Sequence, residues 1–193
     1  MAESDTAPTA DTAYLRLARK LDRVSILSGQ FVAWLIIPMV LGLTYEVVSR
    51  YFFNQPTLWA YDMTFIMYGS YFMLGAAFTL QRSGHVRTDS LYGDWAPRRQ
   101  ALVDAACYIL MYLPFALVLL VVGWGYFYKS FSTGERFVSS PWMPLAWPFK
   151  SVLPLTGLLL LVQGISEFLK CLHTLSVGVW PDNQASEKER VIT

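Results

Sequence analysis

One stretch, from Arg50 to Leu91, constrains the fold more than any other part of the sequence. Asn54-Gln55-Pro56 interrupts a helix, because proline biases the residue before it away from the α conformation. Residues 63–81 then contain no charged side chain, and a helix of this length crosses ~30 Å of hydrocarbon. Arg82 follows directly. The stretch therefore predicts a helical hairpin in a bilayer, with a tight turn on one side and a basic loop on the other.

The composition supports a membrane location for the whole chain. Hydrophobic residues make up 54% of the sequence and charged residues only 15%, against about 25% charged in a typical soluble domain. The two cysteines, Cys107 and Cys171, lie far apart and form no CxxC motif, so they predict packing rather than a disulfide or a metal site.

The uncharged runs predict an all-α integral membrane protein with four transmembrane helices. Pro38 is expected to bend the first span and Pro114 the third. The membrane domain covers residues 12–173, between a disordered N-terminus at 1–11 and a polar cytoplasmic tail at 174–193. The predicted spans are 24–53, 58–81, 100–129 and 149–171.

Residues 12–23 have the pattern of an amphipathic helix. Tyr14, Leu17 and Leu21 share one face, and four Lys or Arg side chains occupy the other. Such a helix lies at the headgroup level and is attracted to anionic lipid. The alternative is that these residues form the solvated start of the first span.

The distribution of Lys and Arg predicts the orientation. Eleven of them fall in the N-terminal segment, the middle loop and the tail, against four in the two opposite loops. Because cytoplasmic loops carry the excess of basic residues, both termini are expected in the cytoplasm.

Few ionisable residues lie in or near the spans. Glu46 and Arg50 are four residues apart near the outer end of the first span, a spacing that favours a structural ion pair over an ion pathway. Asp62 begins the second span, where a carboxylate complements the helix dipole, and it could also meet Arg50 across the hairpin. His85 is interpreted as a loop residue. No acid is expected at mid-bilayer, where a coupled carrier usually needs a polar site.

No nucleophile, phosphate-loop, haem-ligand or metal motif is present, so we expect no catalysis and no cofactor. Ser25, Gly29 and Ala33 repeat every four residues, and Gly75 lies in a second small-residue segment. Such faces allow helices to approach closely. Together these features predict a helper of a larger membrane protein.

The order of the motifs resembles the small membrane subunit, of DctQ type, of tripartite ATP-independent periplasmic (TRAP) transporters. The first motif consists of Arg50-Tyr51-Phe52-Phe53-Asn54, Pro56, Trp59 and Asp62. It is followed by Leu74-Gly75-Ala76-Ala77 and by Arg82, Gly84-His85-Val86, Asp89 and Leu91. The resemblance covers roughly residues 24–172. Asp62 departs from the glutamate that many members carry at this position.

The resemblance implies a scaffold role in the bacterial inner membrane. A large multi-span permease would carry the sodium and organic-acid sites, and a periplasmic binding protein would deliver the substrate. This chain would brace the permease, with room for a bound phospholipid. From the predicted topology, we expect Arg136 and Trp142 in an outer loop to contact the periplasmic partner. Two other functions stay open: a self-sufficient dimeric carrier or exporter that uses Glu46, and a structural subunit of a respiratory complex.

Overall fold

The computed structural model describes residues 13–82, 95–138 and 140–180, and this part of the chain is almost entirely helical. The helices are α1 (Ala13–Ala33), α2 (Ile36–Phe52), α3 (Ala60–Gln81), α4 (Pro97–Cys107), a π-helical turn (Tyr108–Tyr112), α5 (Leu113–Thr133), α6 (Trp147–Lys150) and α7 (Val152–Val177).

Four helical segments in this part of the chain are long and apolar enough to cross a bilayer: Tyr14–Phe52, Ala60–Gln81, Pro97–Thr133 and Trp147–Val177. The predicted all-α fold with four spans is therefore confirmed, and the chain is a multi-pass membrane protein. The placement of both termini in the cytoplasm stays a prediction. The disordered N-terminus at 1–11, His85 and the tail beyond residue 180 lie outside the described residues.

The first span is divided into α1 and α2 by a break at Trp34 and Leu35. Pro38 has no N–H to donate to the carbonyl of Trp34, and its ring would clash with that carbonyl in a regular helix. The amide of Leu35 instead donates to the carbonyl of Val32 over 3.0 Å, which tightens the turn. The bend predicted from Pro38 is thus confirmed.

Residues 13–23 form the first turns of α1 rather than a separate element. The helix continues without interruption to Ala33, since residues 13–33 contain no proline that would end it. This geometry matches the alternative in which the basic segment begins the first span. Its position at the headgroup level stays a prediction.

Helix α7 lies at the centre of the bundle and packs against α1, α3, α4 and α5. Its contact with α5 depends on two glycines. A Cβ added to Gly157 would lie 2.7 Å from the backbone nitrogen of Leu120, and one added to Gly123 would lie 2.9 Å from that of Pro154. Because the backbones approach so closely, any larger residue at either position would push the two helices apart.

The π-helical turn lies directly before Pro114, whose missing N–H is accommodated by the wider hydrogen-bonding pattern. This turn directs Tyr112 toward α7, where its hydroxyl donates to the carbonyl of Leu160 over 3.1 Å. The Tyr112 ring fills the space beside Gly164, where an added Cβ would lie 2.3 Å from a ring carbon. Both α4, before Pro114, and α5, which contains it, therefore pack against α7.

Candidate functional site

A buried carboxylate, that of Glu46, holds the turn between α2 and α3. Its Oε1 accepts hydrogen bonds from Arg50, over 2.9 Å from Nε and 2.5 Å from Nη2. Its Oε2 accepts from the backbone N–H of Thr57 over 2.9 Å and from the Thr57 hydroxyl. The ion pair predicted from the sequence is confirmed. With both oxygens engaged, Glu46 acts as an anchor for the hairpin.

The rest of the turn is fixed by short-range contacts. The amide of Gln55 donates to the carbonyl of Ser49 over 3.0 Å, and the Ser49 hydroxyl donates to the carbonyl of Gln55. Asn54 has a positive φ of 52°, a conformation that asparagine tolerates better than most residues. The rings of Tyr45 and Trp59 stack with their centroids 6.0 Å apart across the turn. Pro56 is exposed at its tip.

Asp62 links this hairpin to residues 134–146, the loop that the distribution of Lys and Arg predicts as the second outer loop. Its side chain is 4% exposed and accepts a hydrogen bond from the hydroxyl of Ser140. The two ends of the loop are paired with each other, because the amide of Ala146 donates to the carbonyl of Glu135 and that of Phe137 to the carbonyl of Pro144, each over 2.9 Å. All four spans are therefore connected at this end of the bundle.

An ion pair between Glu135 and Lys150 closes the base of this loop. The hydrogen bond from Lys150, aided by its charge, lowers the pKa of the Glu135 carboxyl below its usual value. Arg136 is exposed, and its guanidinium donates to the carbonyl of Met143 over 3.1 Å. Trp142 is 41% exposed at the tip of the loop. The proposed contact of Arg136 and Trp142 with a periplasmic partner stays a prediction.

A polar network joins α1 to α7 at the opposite end of the bundle. Asp22 Oδ2 lies 2.9 Å from Lys170 Nζ, and Lys170 also contacts Glu167 over 2.8 Å. Ser166 donates to Asp22 over 2.6 Å, while the amide of Gln163 donates to Asp22 over 3.0 Å and to Glu167 over 2.9 Å. Two carboxylates, one ammonium group and two neutral donors thus contact one another between α1 and α7, while Gln163 Oε1 is buried without a hydrogen-bond partner.

This network was missed at the sequence level. The fourth span was predicted to end at residue 171, whereas α7 extends to Val177. The spacing of Gln163, Ser166, Glu167 and Lys170 places them on one helical face, a pattern that signals a polar contact. The sequence offered no means of identifying Asp22 on α1 as their partner.

The small residues predicted as packing positions have two different environments. Ser25 is fully buried, and an added Cβ at Gly29 would lie 2.5 Å from the Phe78 ring of α3. Both therefore pack inside this chain. Ala33 is exposed, and a Cβ at Gly75 would meet nothing within 4 Å. These two residues lie on the bundle surface instead.

A comparison with protein families identifies the family of this chain. A family profile described as "Tripartite ATP-independent periplasmic transporters, DctQ component" matches residues 39–174. The chain belongs to the DctQ family. It is thus a small TRAP transporter subunit with membrane-spanning helices. The matched region begins within α2, so that α1 and Asp22 precede it.

A curated relative is similar over a shorter region. The C4-dicarboxylate TRAP transporter small permease protein DctQ of Vibrio cholerae serotype O1 is 32% identical over 83 residues. The match covers 43% of this chain and 35% of the relative, so the chain spans about a third of the length of the curated DctQ protein. No solved structure matches the chain.

Proposed function

We propose that this DctQ chain is the non-enzymatic scaffold subunit of a sodium-coupled, binding-protein-dependent secondary transporter that imports an organic acid. Family membership carries this proposal. The engagement of the buried acids supports it: Glu46 is bound by Arg50 and Thr57, and Asp22 and Glu167 by Lys170. Acids held in this way stabilise a bundle and leave ion coupling to another chain.

The scaffold would stabilise a large multi-span permease and anchor it in the bacterial inner membrane. Helix α2 packs chiefly against α3, and its remaining faces expose Ile37, Val40 and Leu41 to the bilayer. These exposed apolar side chains of α2 offer a surface against which a helix of the permease could pack. The excess of Lys and Arg at the end that carries residues 16–23, 82 and 98–99 supports a cytoplasmic location for that end.

The cargo would be an organic acid bound by the large permease together with sodium. The name of the Vibrio cholerae relative, which specifies C4-dicarboxylates, supports this class of substrate. The alternative of a self-sufficient carrier that uses Glu46 is not favoured. That carboxylate lies six residues before the end of α2 and both its oxygens accept hydrogen bonds that fix the turn.

The second outer loop would help to dock the periplasmic binding protein. Its tip exposes Trp142, and aromatic residues of this size are enriched at the centres of protein interfaces. Arg136 is a less direct probe, since it also binds the carbonyl of Met143 and its substitution would disturb the loop.

Affinity purification of the tagged full chain from its native host tests the scaffold proposal, and a multi-span permease should co-purify in stoichiometric amount. Recovery of the chain alone would contradict the proposal. For the docking role, Trp142→Ala should reduce substrate uptake without loss of the co-purified permease. Trp34→Ala, which removes an exposed tryptophan at the break between α1 and α2, serves as the control. Unchanged uptake by Trp142→Ala would refute the docking role.

A further inference from the structure

Three buried polar side-chain atoms without a hydrogen-bond partner lie at one level of the bundle, on three different helices. They are Ser25 Oγ on α1, Gln81 Oε1 on α3 and Gln163 Oε1 on α7. The side chains of Ser25 and Gln163 are completely buried. Since buried polar atoms in folded proteins nearly always have a partner, three such atoms together indicate a site for a ligand.

The contact of α1 with α3 places the first two atoms at the same level. These helices run in opposite directions, because α3 returns through the bundle after the hairpin turn. A Cβ added to Gly29 of α1 would lie 2.5 Å from the Phe78 ring of α3. Ser25 precedes Gly29 by four residues and Gln81 follows Phe78 by three. Both therefore lie about one helical turn from this contact, toward the same end of the bundle.

The contact of α3 with α7 places the third atom there as well. These helices run in the same direction, since Asp62 at the start of α3 binds Ser140 in the loop that precedes α7. Ala77 and Leu160 belong to one buried cluster. Gln81 and Gln163 follow these two residues by about one turn on their respective helices.

The Gln163 amide connects this level to the buried carboxylates. Its Nε2 donates to Asp22 Oδ1 over 3.0 Å and to Glu167 Oε1 over 2.9 Å. The opposite orientation of the amide would turn its oxygen toward two carboxylate oxygens, which accept hydrogen bonds and would leave it unpaired again. Asp22 precedes Ser25 by three residues, so both lie on one face of α1.

The same network carries an excess of negative charge. The two carboxylates of Asp22 and Glu167 share one ammonium group, that of Lys170, over 2.9 and 2.8 Å. The other basic side chains in this part of α1, Arg19, Lys20 and Arg23, are exposed. A water molecule would pair the three polar atoms but leave the charge. A proton on a carboxylate would remove the charge but leave both glutamine oxygens without a donor. A small cation meets both needs.

We propose that this site binds one alkali-metal cation, sodium or potassium. Ser25 Oγ, Gln81 Oε1 and Gln163 Oε1 are its ligands, and the Asp22 carboxylate provides the opposite charge. The described residues contain no group of three His, Cys, Asp or Glu side chains that would favour a divalent metal. The ion joins α1, α3 and α7 at one end of the bundle. Its role is structural, and it is independent of the scaffold proposal and of any ion that a permease transports.

Thermal unfolding of the purified full chain in detergent provides the test. The Tm is measured in sodium chloride, potassium chloride and N-methyl-D-glucamine chloride, each at about 0.15 M so that charge screening is equal. The organic cation is too large for the site. At least one alkali-metal salt should raise the Tm by about 3–6 °C, the shift expected for an ion at roughly ten times its dissociation constant. The larger of the two shifts identifies the ion.

Matched variants locate the ion. Ser25→Ala removes one ligand without changing any side-chain bond of the network, and Gln81→Leu removes another; each should decrease the shift by at least about half. Ser28→Ala serves as the control, since the Ser28 hydroxyl binds the carbonyl of Ser25 within its own helix, and it should keep the full shift.

Three results would overturn the proposal. The first is a Tm of the unaltered chain that is the same in all three salts. The second is a shift that both Ser25→Ala and Gln81→Leu retain in full, which would place the ion elsewhere. The third is a Tm that responds to pH but not to the cation, which would show that a proton compensates the excess charge.

Discussion

Asp22 on the first helix and Lys170 on the last helix form an ion pair with 2.9 Å between Oδ2 and Nζ. Neither side chain is more than 18% exposed, so each charge would be left poorly solvated without the other. The pair, with Glu167, Gln163 and Ser166, fixes how α1 lies along α7. A small-residue surface alone would specify this register less strictly, because apolar contacts are not directional.

Removal of one partner should destabilise the bundle. For Lys170→Met we expect a loss of about 3 kcal/mol in the free energy of unfolding, the low end of the range for breaking a buried pair. This corresponds to a decrease of roughly 6–12 °C in Tm for a chain of this size. Thermal unfolding in detergent measures it, with the exposed Lys20→Gln on α1 as the control. Equal Tm values for both variants would contradict a structural role of the network.

Glu46 should prove to be a structural residue of the hairpin. Glu46→Gln keeps the shape of the side chain but weakens the bonds from Arg50 and Thr57, which we expect to lower the Tm measured in detergent. In an assembled transporter the sodium dependence of uptake should not change. A variant of unaltered stability that has lost sodium dependence would instead identify Glu46 as a coupling acid.

The close approach of α5 and α7 predicts opposite effects at two glycines. Gly157→Ala places a methyl group against the backbone of Leu120 and should cost about 1–3 kcal/mol in the free energy of unfolding. Gly125→Ala meets nothing within 4 Å and should be neutral or stabilising by up to about 1 kcal/mol, because alanine favours the helix. Comparison of the two melting temperatures checks both, and similar destabilisation by both variants would contradict the packing described.

Acid should release the second outer loop. The pKa of Glu135 is lower in the folded chain than its ordinary value of 4.5, because Lys150 donates a hydrogen bond to the carboxylate. A lowered pKa stabilises the folded loop above about pH 4.5, and this contribution disappears as the pH falls through the folded value. Exchange of the Ala146 amide hydrogen, which is bonded to the carbonyl of Glu135, reports on the loop. Glu135→Gln should speed this exchange at pH 7, and the difference from the unaltered chain should shrink as the pH is lowered below 4.5, after correction for intrinsic exchange. A difference that does not change with pH would contradict this account.

The sequence permits the helices to be predicted better than their contacts. Long uncharged runs and Pro38 determine local structure. The four spans and the bend in the first span could therefore be predicted from the sequence. The pairing of Glu46 with Arg50 could be predicted as well, since both lie on one helix at a spacing of four residues. The contact of Asp62 with Ser140 could not be predicted, because it joins residues 78 positions apart and depends on how a whole loop folds.

The position of the small residues illustrates the same limit. Gly29 and Gly75 look alike in sequence, yet a Cβ added to Gly29 would meet the Phe78 ring and one added to Gly75 would meet nothing within 4 Å. Which face of a helix turns inward depends on the neighbouring helices, and the composition of the face alone does not determine it.

Reconstitution in liposomes tests the central claim most directly. Sodium-driven uptake of a C4-dicarboxylate is measured with this chain alone, with the large permease alone and with both, each in the presence of the periplasmic binding protein. The scaffold account predicts uptake only when both membrane subunits are present. Uptake by this chain alone, or full uptake by the permease without it, would contradict the account.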